Sequence, residues 1–494
     1  MKKIKKLLAV LVAMTMVMAM GMTAMAAVTT DSGKGGSASI TITLPIDPNA
    51  GADGYTEPTI TYTVYKVFDA TSAGGTSTAI AYQIDSTNGD LTAAMTAAGF
   101  SVDTAGNVSG PASLNDAALT AIAAYAKDSI GTFTAKPSDG TLTITGLQYG
   151  YYYITTTTGA AVTVDSTNPN AEVEDKNAIP TPPDKKITGV DAGSFDEAGQ
   201  NAIAQVGTKV TFTATITKVK GATNYVFHDA MSTGLSYNSD VKVTVGGSEV
   251  AASTTVNTEA DNETFTNAAT GSDTITLTFD NDWLAALADN TVITITYSAT
   301  VTSDALTTDP ANNTASLSYG DGNTTDTDTV NVYNAKFTVT KQDDKKQPLA
   351  GAGFVIAKSV ADTSEGAAEG ATKLQYYKLE NNVVSWVDDI AQATEYTSDA
   401  QGAVKAFTGL ANGTYTLIEK TVPAGYNKAA DQDFTIAEGN YTAANLEQTA
   451  TITNNSGTEL PSTGGMGTTI FYALGAVLVL GAGVLMVTRR RMAN

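Results

Sequence analysis

The stretches TKVTFTATIT (Thr208–Thr217) and TVITITYSATVT (Thr291–Thr302) decide the fold class of this chain. In both, apolar and polar residues alternate over most of the run, and Val, Ile, Thr and Tyr predominate. Successive side chains of a β-strand point to opposite faces, so this alternation predicts strands with one buried and one solvated face. These residue types also pack well on a pleated sheet. We therefore predict a mainly β fold.

Similar runs, SITITLP (Ser39–Pro45) and TITYTVYKVF (Thr59–Phe68), precede this central part, and more follow it. A chain of 494 residues exceeds what one compact core usually holds. The prolines of residues 180–183 cannot sit in a sheet and indicate a linker, whereas Ala-rich Asn115–Lys127 predicts a helix. Short strands at this spacing favour tandem immunoglobulin-like β-sandwiches. The predicted domains cover residues 27–180, 184–333 and 334–457.

The N-terminal residues 1–26 have the pattern of a signal peptide. A lysine-rich start precedes the apolar run LLAVLVAMTMVMAMGM, and Ala24-Met25-Ala26 supplies the small residues that a signal peptidase reads. We therefore predict secretion, with cleavage before Ala27.

The C-terminal end has three parts in a fixed order. Residues 460–464 read Leu-Pro-Ser-Thr-Gly, an apolar stretch at 468–487 is long enough to cross a bilayer, and a basic tail fills 488–494. Together these parts resemble the LPXTG cell-wall sorting signal. The resemblance implies that a sortase cysteine attacks the Thr463 carbonyl, that Gly464 leaves with the tail, and that an amine resolves the thioester. It also implies a precursor held in the plasma membrane and a mature protein at the cell surface. The motif residues are Leu460, Pro461, Ser462, Thr463 and Gly464.

Composition excludes several classes of function. The net charge of −22 makes nucleic acid a poor partner. The chain has no cysteine and a single histidine, His228, so we expect no metal site and no cofactor. The acidic run Asp321–Asp328 lacks the spacing of a known calcium loop, and we predict a solvated turn. No paired-acid motif indicates a glycosidase.

The third region opens with KFTVTKQDDKKQPLAGAGFVI (Lys336–Ile356) and closes with ATITNNSG (Ala450–Gly457). It resembles the B-type repeat domain of Gram-positive collagen adhesins and pilins. Within it, YTLIEKTVPAGY (Tyr415–Tyr426) resembles the E-box of pilins. In the first region, GLQYGYYYITTTT (Gly146–Thr158) looks like a related copy in which Thr156 replaces the acid.

In this family, a lysine and an asparagine on neighbouring strands join as an isopeptide bond. The amine must be neutral to attack, and a protonated acid must polarise the amide; burial shifts both pKa values in the required directions. The resemblance implies Lys341, Glu419 and Asn454 for the third region, with Asn455 as the alternative to Asn454. Glu419 is then the acid that promotes the reaction.

The second region carries KKITGV, VFHDAMSTGLSYN and ANNTASLSYG, which resemble the middle domain of backbone pilins. The resemblance implies Lys185 and Asn313 as bond partners, with Asp229 as the acid. Lys186 and Asn312 are competitors, because one step along a strand reverses the face that a side chain uses. We expect His228 to point away from this site. In the first region, Lys66 is a candidate bond former, but an acid is missing at the matching place, and we expect an ordinary exposed lysine. The predicted bond residues are Lys185, Asn313, Lys341 and Asn454.

Backbone pilins carry a lysine just before the junction of their first two domains, and VEDKN (Val173–Asn177) places Lys176 there. The resemblance implies that the Lys176 amine of one subunit attacks the thioester on Thr463 of another, which yields a covalent fibre. The chain is then a sortase substrate, not an enzyme. The implied partners are a class C pilin sortase, a housekeeping sortase, other copies of the chain, peptidoglycan, and tip and base pilins. The alternative function is a monomeric wall-anchored adhesin.

Overall fold

A computed structural model describes most of the chain. The described residues are 23–27, 37–52, 54–72, 80–84, 89–97, 99–110, 122–123, 129–165, 170–252, 265–267, 271–306, 310–457 and 466–492. Strands predominate and fall into three successive groups, each with two sheets. The predicted mainly β fold is therefore confirmed. Whether the three groups match the predicted independent domains stays a prediction.

The first group contains eleven described strands, the α-helix α1 at Gly89–Ala97 and a short 3-10 helix at Pro137–Asp139. The four-stranded sheet has the order β1-β8-β2-β11, and the larger sheet runs β10-β9-β3-β4-β6-β5, with β7 beside β3 when the strands are numbered along the chain. The elements are β1 (Thr23–Ala27), β2 (Ala38–Thr43), β3 (Ile60–Ser72), β4 (Ile80–Gln83), α1 (Gly89–Ala97), β5 (Ser101–Val102), β6 (Asn107–Ser109), β7 (Ser129–Ala135), β8 (Thr141–Leu147), β9 (Gly150–Thr156), β10 (Gly159–Asp165) and β11 (Asn170–Glu174).

Two sequence predictions for the first group fall partly outside the described residues. β1 pairs with β8 in parallel and includes Ala24-Met25-Ala26, so this strand crosses the predicted cleavage site. Residues 1–22 of the predicted signal peptide lie outside the described residues, and its cleavage stays a prediction. Of the predicted helix Asn115–Lys127, only Ile122 and Ala123 are described, and both are helical.

The second group follows residues 180–183, which form neither helix nor strand, and their role as a linker stays a prediction. One sheet has the order β12-β15-β22-β18-β19 with β17 beside β22, and the other runs β13-β14-β25-β23-β16-β21-β20 with β24 beside β23. The elements are β12 (Asp184–Val190), β13 (Gly193–Phe195), β14 (Asn201–Ala204), β15 (Lys209–Thr217), β16 (Val226–Met231), β17 (Leu235–Tyr237), β18 (Lys242–Val245), β19 (Ser248–Val250), β20 (Phe265–Asn267), β21 (Ile275–Phe279), α2 (Asn281–Ala286), β22 (Val292–Val301), β23 (Ala311–Tyr319), β24 (Asn323–Thr324) and β25 (Asp328–Tyr333).

The third group pairs a small sheet of order β31-β26-β34 with a larger one of order β29-β28-β27-β32-β33, which β30 extends beside β27. The elements are β26 (Ala335–Asp343), β27 (Gly353–Ala361), β28 (Thr372–Glu380), β29 (Val383–Val387), β30 (Tyr396–Thr397), β31 (Ala403–Leu410), β32 (Gly413–Thr421), β33 (Gln432–Ile436), α3 (Ala443–Leu446) and β34 (Glu447–Asn454). After it comes helix α4 (Met466–Met492), which is long and apolar enough to cross a membrane over Ile470–Met492 and covers the predicted span 468–487.

The two stretches that predicted the fold form the centre of the second group. β15 and β22 are antiparallel neighbours, and Phe212 lies opposite Tyr297 in their register. Along β15 the buried positions alternate with partly exposed ones, as the sequence pattern predicted. The apolar face of this pair packs into a hydrophobic cluster that continues from the second group into the third, whereas the first group has clusters of its own.

Candidate functional site

Lys185, Asp229 and Asn313 meet in the core of the second group, each with 0% exposure. Lys185 lies on β12 in one sheet, and its side chain reaches the other sheet, where Asp229 and Asn313 lie on the adjacent strands β16 and β23. In the register of these two strands Asn313 faces Met231, two positions along from Asp229, so both polar side chains use the inward face. The fold therefore brings together all three residues predicted from the sequence.

The Lys185 ammonium nitrogen contacts the Asp229 carboxyl and the Tyr297 hydroxyl, and Tyr297 also donates to Asp229 Oδ2. The Asn313 amide nitrogen donates to the Tyr297 hydroxyl at 3.4 Å. The rings of Phe212 and Tyr297 lie 5.4 and 4.9 Å from Lys185 Nζ. Two buried oxygens, Asp229 Oδ1 and Asn313 Oδ1, have no hydrogen-bond partner among the described residues. Tyr297 was not predicted from the sequence. The only signal for it in the sequence is its position on the buried face of the alternating stretch that forms β22.

Burial controls the protonation of this second-group cluster. Desolvation lowers the pKa of Lys185 below its ordinary value, although the nearby Asp229 carboxyl opposes this shift. Desolvation also raises the pKa of Asp229, although the Lys185 charge and the hydrogen bond from Tyr297 oppose that shift. Both directions favour a neutral amine beside a protonated acid. These are the forms that amide exchange requires.

The competing residues lie on the solvent face. Lys186 has a side chain that is 47% exposed and pairs with Asp184 at 2.6 Å. Asn312 is also exposed. His228 faces away from Asp229 and bonds to Asp273 at 2.7 Å and to Ser318 at 3.0 Å. The alternation of the strands thus separates the buried candidates from their neighbours in sequence.

A second cluster contains Lys341, Glu419 and Asn454 in the core of the third group, with exposures of 0, 3 and 0%. Lys341 and Asn454 lie on the parallel neighbours β26 and β34, and Glu419 comes from β32 in the facing sheet. Asn454 donates its side-chain nitrogen to Glu419 Oε1 at 2.7 Å, while Ala429 donates its backbone N–H to Glu419 Oε2 at 2.7 Å. Here too, the residues predicted from the sequence lie together.

The Lys341 nitrogen donates to the backbone carbonyls of Gln342 and Ile452, both at 3.2 Å. Burial lowers the pKa of Lys341, although the Glu419 charge opposes the shift. Asn454 Oδ1 has no hydrogen-bond partner among the described residues. Asn455, the alternative bond partner, is exposed. The geometry therefore favours Asn454 over Asn455.

The first group contains an acid that the sequence reading missed. Thr156 occupies the position aligned with Glu419, and its hydroxyl lies 3.4 Å from the carboxyl of Asp175, which is 4% exposed. Tyr62 and Thr158 donate to the same oxygen of Asp175 at 2.7 and 3.1 Å. The buried acid of the first group is therefore Asp175, in the segment that follows β11. Its only signal in the sequence was its place in VEDKN.

Lys66 differs from the expected exposed lysine. Its side chain is only 12% exposed, because it pairs with Asp69 at 3.0 Å and its nitrogen lies 5.9 Å from the Tyr152 ring. The long stem packs on the aromatic face while the ammonium reaches a carboxylate.

Lys176 is exposed between two buried residues, Asp175 and Asn177. Asn177 donates its backbone N–H and its side-chain nitrogen to Asp175 Oδ1, at 3.1 and 2.8 Å. Directly after it, Ala178 donates to the carbonyl of Lys220 in the second group at 3.0 Å. The peptide on both sides of Lys176 is thus fixed, and its amine points to solvent at the junction of the first two groups.

The predicted sortase-motif residues are not among those that the structure describes. The motif Leu460–Gly464 lies outside the described residues. Among the residues that are described, no group of three or more histidine, aspartate or glutamate side chains is placed to hold a metal ion.

Comparison with known proteins supports the sequence reading. Residues 335–450 match the SpaA family, described as a prealbumin-like fold domain, and residues 452–494 match the LPXTG cell wall anchor motif. Together with α4, the anchor shows a precursor held at the membrane that becomes attached to the cell wall. No curated protein matches the chain significantly.

The chain matches solved pilus structures, and one of them has a TM-score above 0.5. The T6 backbone pilin of serotype M6 Streptococcus pyogenes is 19% identical, with a TM-score of 0.51 over 82% of this chain and 81% of that one. The group B streptococcus pilus 2b backbone protein is 26% identical over 56% of this chain and 100% of its own, with a TM-score of 0.42. The major pilin SpaA of Corynebacterium diphtheriae is 14% identical over 85% of this chain and 100% of its own, with a TM-score of 0.49. The prealbumin-like domain, the LPXTG anchor and the fold of a backbone pilin together confirm that this chain resembles the sortase-assembled backbone pilins.

Proposed function

We propose that this protein is the structural shaft subunit of a covalent, sortase-polymerised pilus on a Gram-positive cell surface. Thr463 of one subunit is joined to Lys176 of the next. The observation that carries this proposal is the position of Lys176, whose exposed amine stands between two buried residues in a chain that ends in an LPXTG anchor. The similarity to pilus backbone proteins supports the same role.

In this proposal the chain is a substrate, and the sortase supplies the nucleophile. The sortase cysteine attacks the Thr463 carbonyl, Gly464 leaves as the amine of the released tail, and an acyl-enzyme remains. The neutral Lys176 amine then attacks the thioester, and the sortase thiol leaves. Fixing Asp175 and Asn177 reduces the motion of the acceptor, because only the Lys176 side chain has to be ordered in the sortase complex.

The internal bonds form without a sortase. The amine nitrogen of Lys185 attacks Cγ of Asn313, the bond from Cγ to Nδ2 breaks, and ammonia leaves with a proton from the amine. Lys341 and Asn454 react in the same way beside Glu419. The two clusters support this chemistry, because Lys185 contacts Asp229, Asn454 donates to Glu419, and all six side chains are buried in the cores.

The partners follow from the two joining reactions. A class C pilin sortase joins subunits, and a housekeeping sortase transfers the last one to peptidoglycan. Other copies of the chain are the main partner, and tip and base pilins occupy the ends. Helix α4 holds the precursor in the membrane until the sortases act on it.

The test replaces the acceptor lysine. In cells that carry the matching sortases, we expect Lys176→Ala to abolish the ladder of covalent polymers on a denaturing gel, since no other subunit then offers the acceptor amine to the acyl-enzyme. The control is Lys136→Ala, which removes another exposed lysine of the first group. A ladder that persists in Lys176→Ala would exclude this acceptor. A wild-type protein that reaches the wall only as a monomer would instead support a monomeric adhesin.

A further inference from the structure

The two buried clusters contact their asparagine in different ways. In the third group, the Asn454 nitrogen, which leaves as ammonia in the proposed reaction, donates directly to the Glu419 carboxyl at 2.7 Å. A single acid can therefore protonate the departing nitrogen there. In the second group, the hydrogen bond of the Asn313 nitrogen goes to the Tyr297 hydroxyl at 3.4 Å, and this hydroxyl in turn donates to Asp229.

The Tyr297 hydroxyl contacts all three groups of the second cluster. It accepts from Lys185 Nζ and from Asn313 Nδ2, and it donates to Asp229 Oδ2. The residue is 1% exposed, and its ring packs against Phe212 and Tyr237 with centroid separations of 5.7 and 6.4 Å. Such packing fixes the hydroxyl in place and keeps water from substituting for it.

We propose that Tyr297 is a further catalytic residue of the second cluster, where its hydroxyl relays a proton between Asp229 and the nitrogen that leaves Asn313. This inference rests on the proposed isopeptide bond. The phenol replaces the direct acid-to-nitrogen contact that Glu419 makes with Asn454 in the third group.

The relay balances as follows. As Nζ of Lys185 bonds to Cγ of Asn313, protonated Asp229 gives its proton to the amide oxygen and then takes one from the nitrogen, which has become positive. Asp229 passes that proton to the Tyr297 oxygen as Tyr297 passes its own to Nδ2. The Cγ–Nδ2 bond then breaks and ammonia leaves, while the hydroxyl on Cγ returns its proton to Asp229 and becomes the carbonyl of the new amide. Both Tyr297 and Asp229 end in the protonation states in which they began.

The electrostatics of the site suit a relay. Burial and the neighbouring Asp229 hold the pKa of Tyr297 well above its ordinary value. The phenol therefore stays protonated and can donate and accept at the same time. A phenolate would instead pair with the lysine and hold it in its charged, unreactive form.

The test compares two tyrosine variants of the full chain. Tyr297→Phe keeps the ring and removes the relay. Tyr225→Phe removes another buried hydroxyl of the same group, one that donates to the Thr217 carbonyl at 3.2 Å. After a short induction, protease digestion and mass spectrometry follow the Lys185–Asn313 and Lys341–Asn454 cross-linked peptides over time. The third-group peptide is an internal reference in every sample.

We expect Tyr297→Phe to slow the Lys185–Asn313 bond by roughly a hundredfold, in the range of a lost acid–base group, and to leave the Lys341–Asn454 bond unchanged. Tyr225→Phe should form both bonds at the wild-type rate. Equal rates of the Lys185–Asn313 bond in wild type and Tyr297→Phe would overturn the relay. A wild type without this cross-link would refute the isopeptide proposal itself, which is a different outcome.

A second measurement covers the case in which Tyr297→Phe does not fold. Incorporation of 3-fluorotyrosine at position 297 keeps the ring and the hydroxyl but makes the hydroxyl more acidic. We expect the rate of Lys185–Asn313 bond formation at a fixed pH to change, because the relayed proton leaves a more acidic oxygen, while the rate for Lys341–Asn454 stays the same. An unchanged Lys185–Asn313 rate would overturn the relay, because the rate does not depend on the acidity of a merely structural hydroxyl.

Discussion

At the scale of single residues, burial makes ordinary side chains reactive. Lys185 and Asp229 would form an inert ion pair at a surface, where water stabilises both charges. In the core the pKa of Lys185 falls and that of Asp229 rises, so the pair can exist as amine and acid. Lys186 and Asn312, one residue away, face solvent instead.

The opposed shifts predict a bell-shaped pH dependence for formation of the Lys185–Asn313 bond. As pH falls through the lowered pKa of Lys185, the amine becomes protonated and cannot attack. As pH rises through the raised pKa of Asp229, the carboxyl loses the proton that polarises the amide. Cross-linked peptide quantified by mass spectrometry after maturation between about pH 5 and pH 9 checks this.

The control for the pH profile is Asp229→Asn, which keeps the shape of the side chain but cannot release a proton at any pH in this range. We expect this variant to form no Lys185–Asn313 bond throughout. A flat wild-type profile would contradict the assignment of Lys185 and Asp229 as amine and acid.

At the scale of elements, the turns at the junction of the first two groups set the position of the acceptor. Asn177 fits beside Gly159, at the start of β10, and Gly221, in the loop between β15 and β16. A Cβ on Gly221 would lie 1.9 Å from Asn177 Oδ1, and the φ of +71° at Gly221 is one that favours glycine. The loop therefore needs glycine for both space and conformation.

We predict that Gly221→Ala displaces Asn177 and slows transfer of Thr463 to Lys176. The matched control is Gly247→Ala, at a φ of +82° with open space around the new Cβ. Both variants bear backbone strain of about 1–2 kcal/mol, but only Gly221→Ala adds an overpacking cost of about 1–3 kcal/mol. Chemical denaturation measures the stability difference, and the rate of ladder growth measures the transfer. Equal behaviour of the two variants would contradict the role of this loop.

At the scale of the whole molecule, the second and third groups are joined more closely than the first and second. Their hydrophobic cluster is continuous. The side-chain amide of Gln205 links the two groups. Its nitrogen donates to the Val384 carbonyl at 2.9 Å, and its oxygen accepts from the Trp386 ring nitrogen at 2.6 Å. In a chain without cysteine, the two proposed bonds would brace this unit by each closing a loop of more than a hundred residues.

We predict that Asn313→Ala and Asn454→Ala each lose one ammonia fewer than wild type, relative to the mass calculated from the sequence, and unfold at lower temperature. By analogy with disulfides, each loop closure stabilises by about 4–5 kcal/mol, which corresponds to roughly 10–20 °C in Tm. Intact mass and calorimetry measure the two effects. The exposed neighbours provide controls, and Asn312→Ala and Asn455→Ala should match wild type in both the mass deficit and Tm. Loss of stability without the mass change would contradict the bonds.

Local patterns in the sequence determined much of this protein. Alternation at Thr208–Thr217 predicted β15, because a strand buries every second side chain whatever its partner is. The apolar stretch at 468–487 predicted α4, because length and hydropathy alone fix a membrane span. The candidate lysines, acids and asparagines came from motif resemblance, and alternation alone could not choose between Lys185 and Lys186.

The tertiary structure decided what depends on contacts between distant strands. It brought Tyr297 to the reacting groups of the second cluster and Asp175 to the place of the missing acid beside Thr156. It also buried most of the Lys66 side chain, which the sequence analysis predicted to be exposed. The contacts of Tyr297 and Asp175 have no local signal, because the face of a strand is set by the sheet it joins and their partners Asp229 and Thr156 lie more than a dozen residues away in sequence.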